Sequence, residues 1–131
     1  MIFVDTSAIY ALLDRADENH ARASGKWSEL LDANSQLFTT NYVLLESCAL
    51  AQHRLGLEAV RAIQEDFLPA IEIRWIDGKT HAESMTALLA ARRRKLSLVD
   101  CSSFAVMRQA GVRVAWAFDK HFAEEGFAFP S

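Results

Sequence analysis

Ile2-Phe3-Val4-Asp5-Thr6-Ser7-Ala8 opens the chain almost at once. Three consecutive apolar residues read as a strand covered on both faces, which is the pattern of a parallel sheet. An aspartate and two hydroxyl residues follow, and Thr6-Ser7 predicts the cap of a short helix over Ala8 to Asp14. A strand that passes directly into a helix suggests an α/β domain, and the same alternation repeats downstream. A helix is predicted from His20 to about Asn34, with Ala23, Trp27, Leu30 and Leu31 on one face. Gln36 to Thr39 reads as a strand. Thr40 or Asn41 caps a helix to about Leu55, with Val43, Leu44, Ser47 and Leu50 toward the core, and Gly56 stops it. Leu57 to Leu68 reads as a helix that ends before Pro69.

A strand over Ile71 to Ile76 comes next. Asp77 then caps a helix that runs through Ala82, Met85, Leu88 and Leu89 to a basic run, Arg92-Arg93-Arg94-Lys95. Leu98 to Ala110 is a helix closed by Gly111, Val112 to Phe118 a strand, and Phe127 to Phe129 a short edge strand. The expectation is an α/β domain around a mainly parallel sheet of four to five strands.

The bulk numbers narrow the class. The 131 residues suit one domain over 1–131. Apolar residues make up 51%, enough for a core that folds unaided. A net charge of −3 argues against a protein that coats nucleic acid through global electrostatics, though an acidic metal site could still act on it. Cys48 and Cys101 are too few for a disulfide framework. With scattered histidines (His20, His53, His81, His121), they do not suggest zinc. The opening residues do not read as a signal peptide, and no apolar run reaches the ~18 residues that cross a bilayer. A cytoplasmic, reducing location without a membrane partner is expected.

Four acids share an unusual context. Asp5 follows Ile-Phe-Val, Glu46 follows Tyr-Val-Leu-Leu, Asp100 follows Leu-Ser-Leu-Val, and Asp119 follows Val-Ala-Trp-Ala-Phe. Charge set against a core is costly unless compensated. Asp5 and Asp119 are predicted at the carboxyl ends of two strands, the edge where open parallel sheets hold ligands. Glu46 and Asp100 are predicted in the first turns of helices, whose N-termini favour negative charge and start at that same edge. The four therefore can meet in one crevice. Packed carboxylates raise one another's pKa, and Mg²⁺ or Mn²⁺, which take oxygen ligands, would restore balance. Such a site suits phosphodiester hydrolysis. The plain alternative for any one of these acids is a helix cap, as Asp77 illustrates.

At these residues the sequence resembles the PIN-domain ribonucleases, particularly the VapC-type toxins of toxin–antitoxin pairs. Residues 2–8 resemble the first family motif. Thr39-Thr40-Asn41-Tyr42-Val43-Leu44-Leu45-Glu46-Ser47 resembles the second, and Leu96-Ser97-Leu98-Val99-Asp100-Cys101-Ser102-Ser103-Phe104 the third. Ala117-Phe118-Asp119-Lys120-His121-Phe122 with Gly126-Phe127 resembles the fourth. The resemblance implies a three-layer sandwich with helices on both faces of the sheet. It implies metal-dependent endonucleolytic cleavage of RNA, with Asp5, Glu46, Asp100 and Asp119 as the metal-binding catalytic acids. Thr6 and Ser103 would orient a carboxylate or water from behind. The family also implies a homodimer and an antitoxin partner.

Other features have competing readings. Arg92, Arg93, Arg94 and Lys95 could grip an RNA backbone, but cations at a helix C-terminus are also expected on their own account. Lys120 and His121 could touch a substrate phosphate or simply shape an exposed turn. Cys48 and Cys101 read as small apolar residues; Trp27, Trp75 and Trp116 could stack on bases, but their apolar surroundings read as core. Tyr42, Leu45, Leu57 and Val60 exceed what one core needs and could form a partner face. A haloacid-dehalogenase-like phosphatase would need a second aspartate two positions after Asp5, where Ser7 stands. A phospho-accepting receiver domain would need an acidic pair at the end of the first strand, which has a single acid. A non-catalytic PIN-fold scaffold that binds RNA or protein has no need of all four acids.

Overall fold

A computed structural model describes residues 1–131. The first strand, β1 (Ile2–Val4), lies inside a four-stranded, all-parallel sheet with β2 (Leu37–Thr40), β3 (Ile71–Arg74) and β4 (Val114–Trp116), in the order β3-β2-β1-β4. Ile2 is in register with Leu37 on one side and Val114 on the other. Successive strand residues point to opposite faces. Phe3 and Val4 are both fully buried, as are Phe38 and Thr39, so both faces of the sheet are covered. This is why these short strands are continuously apolar rather than alternating.

The cover consists of α1 (Thr6–Leu13), α2 (His20–Asp32), α3 (Asn41–Leu55), α4 (Leu57–Ala62), α5 (Gly78–Ala91), α6 (Leu98–Ala110) and the single turn α7 (His121–Glu124). Helix α1 packs on α2 and α3, while α5 packs on α6. One contiguous core joins them. Phe3 meets Phe38 edge-on at 5.3 Å and stacks with Phe122 at 6.1 Å, tying β1 to β2 and to α7. Trp27 stacks on Trp116 at 5.9 Å, fixing α2 over β4. No helix is long and apolar enough to cross a membrane.

Several boundaries depart from the sequence reading for identifiable reasons. Helix α1 starts at Thr6 because Asp5, not Thr6 or Ser7, caps it. The predicted helix over 57–68 breaks into α4, a widened turn (Ile63–Phe67) and a tighter one (Leu68–Ala70) that accommodates Pro69. Strand β3 stops at Arg74, since the Ile76 N–H donates to Asn41 Oδ1 (2.7 Å) instead of to a neighbouring strand. Phe127–Phe129 forms only a bridge, Val114 to Ala128, and Pro130 has no N–H with which to extend it. Trp75 is not core: it lies beyond the end of the edge strand and is 75% exposed. Leu31 and Leu89 are likewise exposed.

Candidate active site

The strand order reverses at β1. The chain moves outward from β1 to β2 and β3, then returns to place β4 on the other side of β1. In an open parallel sheet this arrangement opens a crevice at the carboxyl ends of the strands. Asp5 stands at that end of β1. Its N–H donates to the Trp116 carbonyl (3.0 Å), so the residue is still part of the sheet. Its Oδ2 accepts from the Ser7 N–H (3.1 Å) and the Ser7 hydroxyl (2.6 Å). That hydroxyl in turn accepts from the Phe118 N–H (2.9 Å). One serine thus fixes both the Asp5 carboxylate and the chain just before Asp119. Asp119 Oδ1 accepts from the His121 N–H (2.9 Å), which turns the chain into α7.

Asp100 is the third residue of α6 and closes a reciprocal cap. Its N–H donates to Ser97 Oγ (3.0 Å) and its Oδ2 accepts from the Ser97 N–H (3.1 Å). Glu46 is the sixth residue of α3 and so lies in its second turn, not the first. Its carboxylate faces the Thr6 hydroxyl, and Thr6 Oγ1 accepts from Ser47 Oγ (3.3 Å).

The charges of Asp100 and Asp119 reach both Asp5 and Glu46. Burial pushes the Asp5 carboxyl up to about 7, against the two Ser7 hydrogen bonds, and the charges of Asp100 and Asp119 add to the rise. Glu46 is raised by burial, and Asp100 and Asp119 again contribute. Asp100 is raised by burial, with a further push from Asp119 and opposition from its bonds to Ser97. Keeping Asp5 ionised at neutral pH costs on the order of a few kcal/mol. No lysine or arginine pairs with any of the four; the nearest cationic candidate is the His121 imidazole, with Nε2 3.9 Å from Asp119 Oδ1. A carboxylate oxygen from each of Asp100 and Asp119 and a nitrogen of His121 lie within 4.8 Å of one another. Asp5 and Glu46 lie outside that group; Asp5 and Asp100 are buried, Glu46 and Asp119 half-buried, and oxygen donors with no lysine or arginine paired to them fit a hard divalent ion.

The PIN domain family profile matches residues 2–127. The chain belongs to the PIN-domain family. Among curated PIN proteins it is 34% identical over 128 residues to the 23S rRNA-specific endonuclease VapC20 of Mycobacterium tuberculosis, covering 97% of this chain and 95% of that one. The crystal structure of VapC20, described as a Sarcin-Ricin loop cleaving toxin, superposes with a TM-score of 0.85 at 32% identity, over 98% of this chain and 97% of that one. FitAcB from Neisseria gonorrhoeae shares the fold (TM-score 0.71, 15% identity, 100% and 97% coverage). So does DNA-bound VapBC from Salmonella typhimurium (TM-score 0.68, 19% identity, 99% and 98% coverage). The chain is a homologue of the VapC-type endoribonuclease toxins.

In this PIN domain the remaining predicted residues divide sharply. Thr6 is buried beside Glu46, as expected. Ser103 is fully buried but donates to the Val99 carbonyl (2.9 Å) in its own helix and touches no acid. Ser7 holds Asp5 instead. Its signal was the spacing, since a hydroxyl two residues after a capping aspartate can reach that carboxylate. His121 is 7% exposed and belongs to the acidic cluster, so it is not part of an exposed turn; Lys120 is exposed. The basic run lies outside α5, with Arg92 in the left-handed conformation just after its end. Arg92, Arg93, Arg94 and Lys95 are all exposed, and Arg93 also contacts His121 and Glu124. Cys101 is buried and Cys48 half-buried.

Proposed function

We propose that residues 1–131 form a single PIN-type domain that cleaves RNA phosphodiester bonds with Mg²⁺ or Mn²⁺, held by Asp5, Glu46, Asp100 and Asp119. The observation that carries this reading is the approach of Asp100 and Asp119 to each other at the strand ends, beside Asp5 and Glu46, with Asp5, Glu46 and Asp100 each raised first by burial and then by the charge of Asp119. Strain of that kind, with no lysine or arginine to relieve it, suits residues that work with a cation bound. Such an ion supplies Lewis acidity toward water and toward a phosphoryl oxygen.

The chain's own groups do the positioning. Ser7 orients the Asp5 carboxylate, and Ser97 orients that of Asp100. The Thr6 hydroxyl aims the Glu46 carboxylate. Exposed Lys120 and the exposed basic run, Arg92, Arg94 and Lys95, meet the phosphates on either side of the scissile bond. Similarity to VapC20 favours a structured ribosomal RNA loop as the substrate class. The toxin role carries with it an antitoxin, a homodimer and a cytoplasmic location in which Cys48 and Cys101 remain thiols. Exposed Leu45 and Leu57, on the outer sides of α3 and α4, support a protein partner.

The direct test is RNA cleavage by the purified chain with Mn²⁺ and with EDTA, beside Asp5→Asn. Cleavage that needs the ion and the aspartate is expected. Equal cleavage in EDTA would remove the metal, and equal cleavage by the variant would remove the site.

A further inference from the structure

Helix α2 carries a glycine where neither backbone nor packing asks for one. Gly25 is the sixth of its 13 residues, its backbone is helical, and a Cβ placed on it would meet nothing within 4 Å. Glycine destabilises a helix interior, so the bare position does nothing for the fold itself. It lines a cleft of about 720 Å³, a size within the range of about 300–1,000 Å³ usual for ligand sites. Across the cleft from α2 lie Phe118 and Lys120, the two chain neighbours of Asp119, which sets the cleft beside the acidic site.

Its walls suit one nucleotide. Phe118 is half-buried, and the Arg22 guanidinium lies 5.2 Å from the centroid of its ring, a pairing of the kind on which bases stack. Phe129, 43% exposed, adds a second aromatic wall. Arg22 Nη1 donates to the neutral Asn19 Oδ1 (3.3 Å), and no carboxylate pairs with Arg22 or Lys120. The third cation, Lys26, is bound to Glu29 (2.6 Å), which leaves Glu18 as the one free acid. The cleft is therefore net positive in a chain of net charge −3. Trp116, also in its lining, holds the one buried side-chain nitrogen or oxygen without a hydrogen-bond partner, Nε1. An indole N–H only donates, so the partner it lacks is an acceptor.

We propose that this cleft is a subsite for one nucleotide of the RNA near the scissile bond, on the Asp119 side. The base lies over Gly25 and against the Phe118–Arg22 pair, and Arg22 and Lys120 meet the negative charge of the strand. The inference rests on the nuclease reading above and adds a place, outside the four acids, where the RNA is held. Gly25 is bare because any larger side chain would occupy the space of the base. Contacts made away from the reacting bond hold substrate and transition state alike, so they act on KM and not on kcat.

The test has two independent parts, both on the full chain. ¹H–¹⁵N spectra in EDTA, titrated in turn with AMP, CMP, GMP and UMP, read the cleft without any cleavage. At least one nucleotide is expected to shift the Gly25 amide and the Trp116 indole N–H in the wild type, and none to do so in Gly25→Leu. Silence at both positions with every nucleotide overturns the proposal. The second part uses an RNA that the wild-type chain cuts. Gly25→Leu fills the cleft without changing charge. It is expected to raise KM by about 5–100-fold with kcat within about threefold, and to melt no lower than the wild type. Gly25→Ala, a far smaller filling, is expected to keep KM within about threefold. Arg22→Gln, on the exposed side of α2, is expected to raise KM several-fold at low salt and less at high salt. A wild-type KM in Gly25→Leu would remove the cleft from the path of the RNA, even if a free nucleotide enters it. If the wild type cuts no RNA at all, the nuclease reading fails and the RNA subsite with it, while the titration still decides whether the cleft holds a nucleotide.

Discussion

Asp5 and Asp77 look alike in sequence and behave oppositely in the fold. Each follows an apolar strand segment, and each caps the helix after it with its side chain. Asp77 lies beyond the edge strand β3, is exposed, and is held below the usual carboxylate range by the Thr80 N–H. Asp5 lies at the end of the central strand β1, is 4% exposed, and is pushed up to about 7 by that burial. The difference comes from strand order and not from local chemistry. At β1 the sheet is flanked on both sides and the topology reverses, so the charges of Asp100, from α6, and of Asp119, from beyond β4, reach Asp5. At β3 no charged group gathers around the cap beyond Lys79, the second residue of its own helix. Both aspartates cap a helix, but only Asp5 does so from a buried position that disfavours its charge.

That contrast can be broken most forcefully by activity. Asp5→Asn is expected to reduce Mn²⁺-dependent RNA cleavage by about 100-fold or more, and Asp77→Asn to leave it within about twofold. A large loss from Asp77→Asn at unchanged melting temperature would erase the distinction.

Stability should move in the opposite direction. In the fold Asp5 binds its proton up to about pH 7, against 3.8 as its ordinary value. Between those values the native state holds more protons than the unfolded one, so this contribution to stability is present below about pH 4 and is lost as pH rises through about 7. Asp5→Asn is therefore expected to raise the Tm of the metal-free protein at pH 8 by about 3–10 °C, with the gain shrinking toward pH 4. Asp77, with a lowered pKa, has the reverse sign: its contribution is present above its ordinary pKa and lost as pH falls below it. Asp77→Ala is expected to lower Tm at pH 8 by a few degrees. Thermal melts across pH read both.

Added Mn²⁺ sharpens the comparison further. At about 100 times its Kd it should stabilise the wild type and Asp77→Ala by about 2.7 kcal/mol and Asp5→Asn by little, as differential scanning calorimetry would report. The smallest effect concerns the serines. Ser7→Ala frees Asp5 and the chain before Asp119, and about a 3–10-fold fall in kcat is expected. Ser103→Ala touches no acid and should change kcat by less than about twofold.

The parts of this site that were legible in sequence are those set by local rules. The run Ile2–Val4 is apolar because both sheet faces are covered, and Asp5 follows it without a break. Ser97 and Asp100 stand three apart, the spacing of a reciprocal cap, and Gly111 ends α6 with a φ of 68°. What escaped depends on contacts between distant segments. Whether Thr6 or Ser7 binds Asp5 depends on where α1 begins, and Ser7 earns its second bond from Phe118, 111 residues away. Ser103 and Ser7 are both hydroxyls near an acid, but one spends its donor on its own helix. His121 meets Arg93, 28 residues earlier. Trp75 reads as core from its apolar neighbours, yet nothing in those neighbours tells that β3 is the sheet's outer strand.

On the reading proposed above, Asp5, Asp100, Glu46 and Asp119 together hold a divalent cation. Direct titration of Mn²⁺ into the metal-free protein, followed by electron paramagnetic resonance of the free ion, tests it without reference to any RNA. Saturable binding in the wild type, weakened at least tenfold in both Asp5→Asn and Asp100→Asn and unchanged in Asp77→Asn, is the predicted result. Undiminished Mn²⁺ binding in the folded Asp5→Asn and Asp100→Asn variants would contradict it.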